Sequence, residues 1–580
     1  MNNKEKVIQF KKNEYNEFFS WLLDKENIKL EKEIDISKIL DYKEPYVYYT
    51  PEIKNFFETK AMKRLGKIGQ LVNIFLYNPN ASHTRLHHCK GAYQKMLDFY
   101  MLQYKKPEWR ERNSTKASKL EVLANMMDMA SHDIGHNFCS HALEGLIGEH
   151  KGAHEVLGNI ILHENEEVVQ AFNNINPKLL EALDIVKQAN YGLHTLKEGN
   201  IDFDRADFLV RDSLYLGVEN GFYSGKINRK SMPELLDKVT NGCEIYTIQY
   251  DGKDIEVPVF SYEVEPAIEQ ILQTRTENYE NIYVARMNRP RDIFLEEACK
   301  TILAKDDTNS DLKVFLNYIS ENNIESIVEE FLEWNDIRFY NSLFHIIDNT
   351  SNEHLKRLAT ECLPNLDCLV SIVQERLFPD ITPKIDENGR EIDIEEEFED
   401  EEDKKFYLRV KQFVKDKESY KKYIGDATDQ NAIMNVSFDS QEELEEFLEL
   451  LENGNSNLGG IKTGISKSTI DKLEKWNCKI KKYNKNEPIF IKGRDNRIYT
   501  LDEYPERTLD LSPIEYCGIV GIEEKLYLDG VDSSEIKKCK EIFKRKSLSR
   551  DKESILNTKS TKLNSELKDI KAKIEEADGR

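Results

Sequence analysis

The stretch Ser131-His-Asp-Ile-Gly-His-Asn-Phe-Cys-Ser-His141 holds three histidines and one aspartate within eleven residues. It follows the apolar run Val122–Ala130, which predicts a buried helix that delivers these polar side chains to the interior. Adjacent side chains on a helix diverge by about 100°, so His132 and Asp133 could share one ion only at a helix edge. Further ligands would then have to come from other helices. Imidazole and carboxylate ligands together suit Fe, Mn, Zn, Co or Ni.

The histidines of the chain are strongly clustered. Ten of the twelve lie between His83 and His194, and acidic residues are interleaved with them. A single histidine is most often a surface or core residue, but a cluster of this density indicates a site. Two more segments offer candidate ligands: residues 82–93 (SHTRLHHCKGAY) and residues 201–212 (IDFDRADFLVRD).

Length and charge limit the classes of function. A chain of 580 residues with 39% hydrophobic residues is expected to form two or three domains. The formal net charge is -24, and no strong basic stripe precedes the C-terminal tail. Proteins that hold a nucleic-acid backbone normally carry such a stripe. We therefore expect a small nucleotide as the substrate rather than a nucleic acid.

The sequence predicts a cytoplasmic protein. It contains no apolar run close to the roughly 18 residues of a membrane span, and its N-terminus lacks the apolar segment of a signal peptide. The nine cysteines include no C-x-x-C pair, which is typical of reduced thiols.

The predicted fold is mainly α, with a smaller α+β region at the C-terminus. Residues 1–48 form a charged, helical N-terminal segment, and residues 49–385 form a core of amphipathic helices. Residues 386–404 are almost all acidic and predict a solvated linker or loop. Residues 405–580 form the α+β region, which ends in a helical tail.

A few local patterns stand out from the helices. Residues 243–262 predict a β-hairpin that turns at the letters YDGKD, residues 490–501 predict a second hairpin, and residues 524–530 predict a short strand. Ser440–Glu443 resembles a capping box for a helix that buries Leu444, Phe447, Leu448 and Leu451. The leucines and isoleucines of residues 556–574 leave two interpretations open, a short coiled coil and a frayed helix.

The histidine segments resemble those of the HD phosphohydrolases, and within them the SAM-and-HD-domain dNTP triphosphohydrolases and the bacterial dGTPases. SHTRLHH (82–88) resembles the family's S-H-x-R-x-x-H. HDIGHNFCSHALE (132–144) resembles H-D-[IL]-G-H-[GP]-x-F-S-H, with Asn137 where Gly-Pro is usual. DFDRADFLVRD (202–212) resembles D-x-D-[KR]-x-D-[YF]-x-x-R-D, and AHEVLG (153–158) resembles the H-E that follows the second motif. The resemblance implies an HD-domain helical core.

The resemblance also implies roles for particular residues. A divalent metal (Mn, Mg, Fe, Co or Zn) would be held by His88, His132, Asp133 and Asp204. The reaction centre would be lined by His136, His141 and His154, with Glu155 orienting an imidazole. The substrate would be contacted by Gln70, Leu71, Arg85, Arg205, Phe208, Asp212, Arg275 and Tyr283. The chain departs from the family at Val284, where a glutamine is usual, and at Phe208, where a tyrosine is usual.

The resemblance implies hydrolysis of deoxynucleoside triphosphates to deoxynucleoside and inorganic triphosphate, by a homo-oligomer regulated by nucleotides. One alternative is an HD phosphodiesterase or nuclease that acts on nucleic acid or cyclic dinucleotides. Another is a nucleotide-sensing scaffold without activity, although no predicted ligand is missing. His83 either caps the following helix or belongs to the site, whereas we predict that His150 and His163 lie on the surface.

Overall fold

The structure is a computed structural model. It describes residues 3–34, 46–140, 153–188, 200–216, 231–250, 252–278, 282–283, 289–320, 328–373, 398–420, 423, 433–438, 441–452, 457–458, 461–462, 465, 474–481, 488–505, 514–523, 534–535, 537–539 and 541–542. The chain forms two compact units. The first consists of Met1–Ile282, Arg291–Gly425 and Lys482–Pro513, and the second of Tyr283–Pro290, Asp426–Lys481 and Ile514–Arg580.

The prediction of a mainly α fold is confirmed. The α-helices, in chain order, are Asn3–Leu23, Pro51–Phe57, Lys60–Leu65, Val72–Phe75, Arg85–Tyr104, Pro107–Arg112, Lys116–Ser131, Ala153–Glu164, Glu166–Ile175, Leu179–Gln188, Phe203–Leu216, Ser231–Asn241, Glu265–Asn278, Arg289–Lys305, Asp311–Ser320, Val328–Glu333, Asp336–Asn349, Glu353–Glu361, Leu366–Ser371, Glu401–Lys415, Lys417–Tyr420 and Gln441–Glu452. A 3-10 turn spans Tyr262–Val264. Among the described residues, none of the helices combines the length and the apolar composition that a membrane span needs.

The N-terminal segment contains two strands that the sequence prediction missed. After the helix Asn3–Leu23, β1 (Glu31–Ile34) pairs antiparallel with β2 (Tyr46–Tyr49). The tyrosines of β2 are strong strand formers, and Tyr48 and Tyr49 are buried. Tyr48 N donates to the side chain of Gln94, which fixes β2 against the helix Arg85–Tyr104.

In the first unit, the predicted metal ligands lie on three helices or directly after one of them. The helix Arg85–Tyr104 packs against both Lys116–Ser131 and Phe203–Leu216. Thr84 begins the first of these, since its hydroxyl accepts from the backbone N–H of His87. The helix Lys116–Ser131 is buried along almost all of its second half, as its apolar run predicts.

The first unit also contains a four-stranded sheet, whose strands lie in the order β10 (Ile498–Thr500), β9 (Phe490–Lys492), β4 (Lys253–Ser261) and β3 (Cys243–Tyr250). The hairpin predicted for residues 243–262 is confirmed by β3 (Cys243–Tyr250) and β4 (Lys253–Ser261), with Gly252 at φ 74 in the turn. The second predicted hairpin is confirmed by β9 (Phe490–Lys492) and β10 (Ile498–Thr500). Because β9 pairs in parallel with β4, residues far apart in the chain complete one sheet.

The second unit contains a three-stranded antiparallel sheet. Its order is β5-β11-β8, formed by Ile433–Phe438, Ile514–Glu523 and Glu474–Lys481. A two-stranded pair, β6 (Asn457–Leu458) and β7 (Ile461–Lys462), accompanies it. The helix Gln441–Glu452 packs on the sheet and buries three of the four predicted residues, with Leu448 half-buried.

The last four residues of the predicted acidic linker, 401–404, are helical. Asp400 caps the helix Glu401–Lys415, so the last acidic residues of the predicted linker form the first turn of this helix. Acidic side chains are favoured there because they face the positive end of the helix dipole. Residues 386–397, the predicted strand 524–530, Ser440 and the tail 556–574 lie outside the described residues.

Candidate metal centre

The histidine–aspartate pair lies just beyond a helix rather than within it. The buried helix Lys116–Ser131 ends at Ser131, His132 occupies its C-cap, and Asp133 begins the following turn. The pair therefore lies at the end of the helix, where side chains from other helices can reach the same point.

Four side chains that the sequence predicts as metal ligands converge at this point. Nε2 of His88 lies 3.0 Å from Nε2 of His132 and 2.9 Å from Oδ1 of Asp204. Nε2 of His132 lies 3.6 Å from the same oxygen of Asp204. Asp133 places Oδ1 3.5 Å from Nε2 of His132 and Oδ2 4.0 Å from Nε2 of His88. We call these four residues the ligand cluster.

The spacing of these atoms fits a single metal ion. Donor atoms that share one ion at about 2.1 Å lie roughly 3–4 Å apart, depending on the angle between the bonds. The ligand atoms of His88, His132 and Asp204 all lie within 4.8 Å of one another, so these three residues could hold an ion. Two imidazoles with carboxylates form a donor set suited to first-row divalent metals.

His88 and His132 both direct Nε2, the nitrogen without a proton in the neutral ring, toward the ligand cluster. Nδ1 of His88 donates to Oδ2 of Asp207 at 2.9 Å, and Nδ1 of His132 donates to the carbonyl oxygen of Met129 at 2.8 Å. Carboxylate and carbonyl oxygens only accept, so the proton of a neutral ring lies on Nδ1. Nε2 of each ring is then the nitrogen that could bind a metal.

The electrostatics of the ligand cluster favour added positive charge. Burial lowers the pKa of His88, but hydrogen bonds to Asp204 and Asp207 outweigh it and raise the pKa to about 10. Burial disfavours the charged form of Asp204, yet hydrogen bonds from His132 and His88 hold its pKa below the ordinary value. A site that binds a proton this firmly also attracts a cation, and a metal would compete with that proton.

A supporting pair that the sequence analysis missed lies behind His88. Asp207 accepts from His88 and also from Arg211, through Nε at 2.8 Å and Nη2 at 3.0 Å. Gly91, one turn after His88, makes this approach possible, because a Cβ there would lie 2.1 Å from both Asp207 Oδ1 and Arg211 Nη2. The four-residue spacing of Asp207 and Arg211 was the available signal.

Arg85 lies directly beside the ligand cluster. Its Nη1 donates to Oδ2 of Asp133 at 2.6 Å, and its Nε and Nη2 donate to Oγ of Ser140 at 3.2 and 3.0 Å. Burial disfavours the charged form of Asp133, but Arg85 and the neighbouring histidines hold its pKa well below the ordinary value. The arrangement puts a fixed guanidinium next to the metal ligands.

Two further predicted residues stack beside Asp133. Nε2 of His136 lies 3.2 Å from Oδ1 of Asp133, and the rings of His136 and His154 are stacked with centroids 4.1 Å apart. The Glu155 side chain is exposed, and among the residues that the structure describes it hydrogen-bonds no imidazole. Glu155 lies in the first turn of the helix Ala153–Glu164, and its predicted role of orienting an imidazole stays a prediction. His141 lies outside the described residues.

Arg205 and Arg275 surround a different carboxylate. Arg205 forms an ion pair with the buried Asp202, whose Oδ1 also accepts from the backbone N–H of Arg205. Arg275 is buried, and its Nη1 donates to the carbonyl oxygen of Asn200 at 3.5 Å. Burial raises the pKa of Asp202 to about 7, although Arg205 and Arg275 act in the opposite direction.

Four further residues, predicted to contact the substrate, lie in different parts of the chain. Backbone N of Gln70 donates to the carbonyl oxygen of His83, and Leu71 begins the helix Val72–Phe75. Phe208 has its ring centroid 6.4 Å from that of His88. Tyr283 belongs to the second unit, and its predicted role stays a prediction.

Asp212 is buried against a histidine. Nε2 of His83 donates to its Oδ1 at 2.7 Å, and both side chains are almost fully buried. Thr84, not His83, caps the following helix, so the interpretation of His83 as a helix cap is wrong. Asp212 therefore positions His83. His163 is exposed and pairs with Asp184, as predicted for a surface residue. His150 lies outside the described residues.

No protein-family model matches the chain. An uncharacterized protein of Mycoplasma pneumoniae is 24% identical over 408 residues, which cover 66% of this chain and 87% of that protein. A putative HD domain-containing protein of Acanthamoeba polyphaga mimivirus is 26% identical over 199 residues, 31% of this chain and 44% of that protein. A deoxynucleoside triphosphate triphosphohydrolase of Danio rerio is 24% identical over 207 residues, 30% of this chain and 32% of that protein.

A solved structure extends the likeness to most of the chain. A phosphohydrolase from Bacteroides thetaiotaomicron aligns with a TM-score of 0.52 at 16% identity, covering 85% of this chain and 99% of that chain. The two proteins share a fold. Together with the sequence matches, this supports a distant relationship to HD-domain proteins.

Proposed function

We propose that the protein is a divalent-metal-dependent hydrolase of deoxynucleoside triphosphates, which releases deoxynucleoside and inorganic triphosphate. The observation that carries the proposal is the convergence of His88, His132, Asp133 and Asp204, with Arg85 bonded to one of those carboxylates. A site with a metal position and a guanidinium side by side is suited to a phosphate ester. The likeness to HD-domain proteins and to a triphosphohydrolase supports this choice of substrate.

The chemistry divides between the ion and the side chains. A divalent ion held by the ligand cluster would supply a hydroxide nucleophile near neutral pH. Arg85 binds the phosphate oxygens and offsets the negative charge that grows on them in the transition state. Asp133 holds Arg85 at 2.6 Å, so the guanidinium does not need to reorient during the reaction.

The stacked histidines are suited to moving protons. His154 lies against His136, which in turn lies 3.2 Å from Asp133. Imidazoles exchange protons near neutral pH, and departure of triphosphate from the 5′-oxygen of the sugar requires a proton at that oxygen. We assign this proton to His154 or His141.

Gln70 supports recognition of the sugar. Its Oε1 is buried and has no hydrogen-bond partner in the part of the chain that the structure describes. A buried acceptor without a partner is costly, so a ligand hydroxyl would stabilise it. We assign this acceptor to the 3′-hydroxyl, with Leu71 offering apolar surface against C2′. A ribonucleotide would then place its 2′-hydroxyl in an apolar setting.

Product analysis tests the proposal. The metal-loaded protein is incubated with each of the four dNTPs and each rNTP, in Mn²⁺ and in Mg²⁺, and the products are separated. We expect deoxynucleoside and intact triphosphate, with rNTPs slower by roughly tenfold to a hundredfold because of the unsatisfied hydroxyl. Pyrophosphate with dNMP as products, or cleavage of oligonucleotides or cyclic dinucleotides but not dNTPs, would refute the assignment.

We also propose that the active form is a homo-oligomer whose activity depends on a regulatory nucleotide. The second unit contains none of the residues of the ligand cluster, so it is available for such a role. Cutting the chain after Lys405 would not isolate this role, because β9 and β10 complete the sheet of the first unit. The full-length protein is therefore assayed on dNTP mixtures while its mass in solution is measured. A monomer with simple hyperbolic kinetics in every mixture would contradict the proposal.

A further inference from the structure

Arg85 is held by two acceptors of different kinds. Asp133 accepts from Nη1, whereas the hydroxyl of Ser140 accepts from both Nε and Nη2. A guanidinium has five N–H groups. These three bonds leave one N–H on each terminal nitrogen of Arg85 without a partner among the residues that the structure describes.

The two acceptors do different things to the charge of Arg85. Asp133 is an anion that also faces the histidines of the ligand cluster, with Oδ1 3.5 Å from Nε2 of His132 and Oδ2 4.0 Å from Nε2 of His88. Ser140 is neutral, so it orients the guanidinium without adding a second negative charge beside it. A carboxylate in place of Ser140 would put a second negative charge beside Arg85 and would oppose binding of an anionic substrate.

The backbone around Ser140 adopts an uncommon conformation. Cys139 has φ 55 and Ser140 has φ 47, a left-handed conformation that two consecutive non-glycine residues rarely adopt. The turn is closed by a hydrogen bond from Ser140 N to Asn137 O at 3.1 Å. Such backbone strain persists only where the surrounding structure enforces it, and it concentrates at functional sites.

The enforcing contacts come from Phe138. Its ring packs against those of Trp334, Phe339 and Phe315, at centroid distances of 5.3, 4.9 and 5.7 Å. This aromatic cluster anchors the residue immediately before the left-handed pair. The hydroxyl of Ser140 is thereby held against Arg85, and the Ser140 side chain is buried.

We infer that Ser140 is a positioning residue for triphosphate binding. Its hydroxyl oxygen orients the guanidinium of Arg85 without a second negative charge, and two N–H groups of Arg85 are left for the phosphates of the substrate. The inference rests on the proposed function, since it assigns the task of Arg85 to a phosphate chain.

Two substitutions at position 140 separate the hydroxyl from the backbone. Ser140→Ala and Ser140→Gly both remove the acceptor, but only glycine adopts a positive φ without strain. We expect both variants to lose kcat/KM on dNTPs by about tenfold to a hundredfold, the effect of one lost bond to a charged group. Cys139→Gly relaxes the turn but keeps the hydroxyl, and should retain wild-type kcat/KM. Thermal unfolding of each variant checks that it is folded.

The dependence on Arg85 is tested with a double-mutant cycle. In an Arg85→Lys background, where the forked geometry is already lost, Ser140→Ala should lower kcat/KM by no more than about twofold. Wild-type kcat/KM in Ser140→Gly, or an undiminished loss in the Arg85→Lys background, would overturn the inference.

Binding of inorganic triphosphate separates this inference from the proposed function. If the wild-type protein hydrolyses no dNTP, the proposed function fails, and calorimetric titration with triphosphate then judges Ser140. Weaker binding by Ser140→Ala and Ser140→Gly, but not by Cys139→Gly, supports the inference. Equal affinities, or no binding by the wild-type protein, overturn it.

Discussion

Two buried histidine–aspartate pairs join the region of the helix Arg85–Tyr104 to the helix Phe203–Leu216, but the two histidines differ in their other contacts. His88, in the helix Arg85–Tyr104, donates to Asp207, and His83, just before that helix, donates to Asp212. Both carboxylates come from the helix Phe203–Leu216. The other nitrogen of His88 faces His132 and Asp204, whereas the ring of His83 packs against Tyr215 at 4.5 Å.

The difference shows that a buried histidine–carboxylate pair does not by itself identify a functional site. In both pairs the carboxylate fixes the ring, and in both the side chains are almost fully buried. Only at His88 does the second nitrogen meet further ligand atoms, within 4 Å in each case. We therefore expect damage to the His88 pair to affect metal binding and damage to the His83 pair to affect stability.

Asp204→Asn should have the largest effect on metal binding at His88. Asp204 contacts both imidazoles of the ligand cluster, while Asp133 also bonds to Arg85 and His136, so Asp204 is the cleaner ligand to remove. We expect loss of bound metal and a fall in kcat/KM of roughly a thousandfold or more. Metal content by mass spectrometry and thermal unfolding report the two effects separately. A folded variant that retains both metal and turnover would contradict the assignment of Asp204.

Gly91→Ala should weaken metal binding indirectly, by displacing the residues that orient His88. The added Cβ would meet Asp207 and Arg211 at 2.1 Å, so one or both must move away from His88. We expect metal affinity to fall by about tenfold to a hundredfold, the usual effect of losing a group that orients a ligand. The free energy of unfolding should fall by about 1–3 kcal/mol because of the overpacking.

Gly158→Ala is the matched control for this substitution. Gly158 is also a buried helical glycine, but a Cβ there would lie 3.5 Å or more from the nearest atoms, an ordinary contact. Alanine favours a helix over glycine by up to about 1 kcal/mol, so this variant should be as stable as the wild-type protein or more stable. Equal metal affinity in the two variants would show that the close approach at Gly91 does not affect the metal site.

Asp207→Asn and Asp212→Asn test the comparison directly, with a smaller expected effect. Each change keeps the size of the side chain and removes its negative charge. At Asp207 we expect the metal affinity of the form with deprotonated His88 to fall by about tenfold, because His88 loses the carboxylate that orients it. At Asp212 we expect a lower unfolding temperature with metal affinity unchanged. Titration with Mn²⁺ and thermal unfolding of both variants measure this, and the same loss of affinity at both positions would make the two pairs equivalent.

The sequence predicted the ligand cluster better than it predicted what supports the cluster. His88, His132, Asp133 and Asp204 stand in motifs with fixed spacing, and the structure brings all four together. The roles of Asp207 and Ser140 depend on neighbours far away in the chain, which spacing alone does not reveal. Asp207 lies 119 residues from His88, and Ser140 lies 55 residues from Arg85.

The fold shows the same limit. Helical periodicity and turn residues predicted the main helices and both hairpins, because these are local patterns. The pairing of β4 with β9 joins residues more than two hundred positions apart, and nothing local indicates it. The pair β1–β2 was missed because both strands are only four residues long, and the place of β2 depends on its contact with the helix Arg85–Tyr104.

Finally, metal binding should depend on pH through His88. In the absence of metal its pKa is raised to about 10, because hydrogen bonds to Asp204 and Asp207 outweigh burial. At neutral pH a metal must therefore displace a proton, so affinity should rise with pH, by about tenfold per unit for one proton released. In Asp207→Asn the pKa of His88 should fall, and the affinity should level off at a lower pH than in the wild-type protein. Mn²⁺ titrations between about pH 6 and pH 8.5 measure both curves. An affinity that does not change with pH in the wild-type protein would show that no proton is displaced.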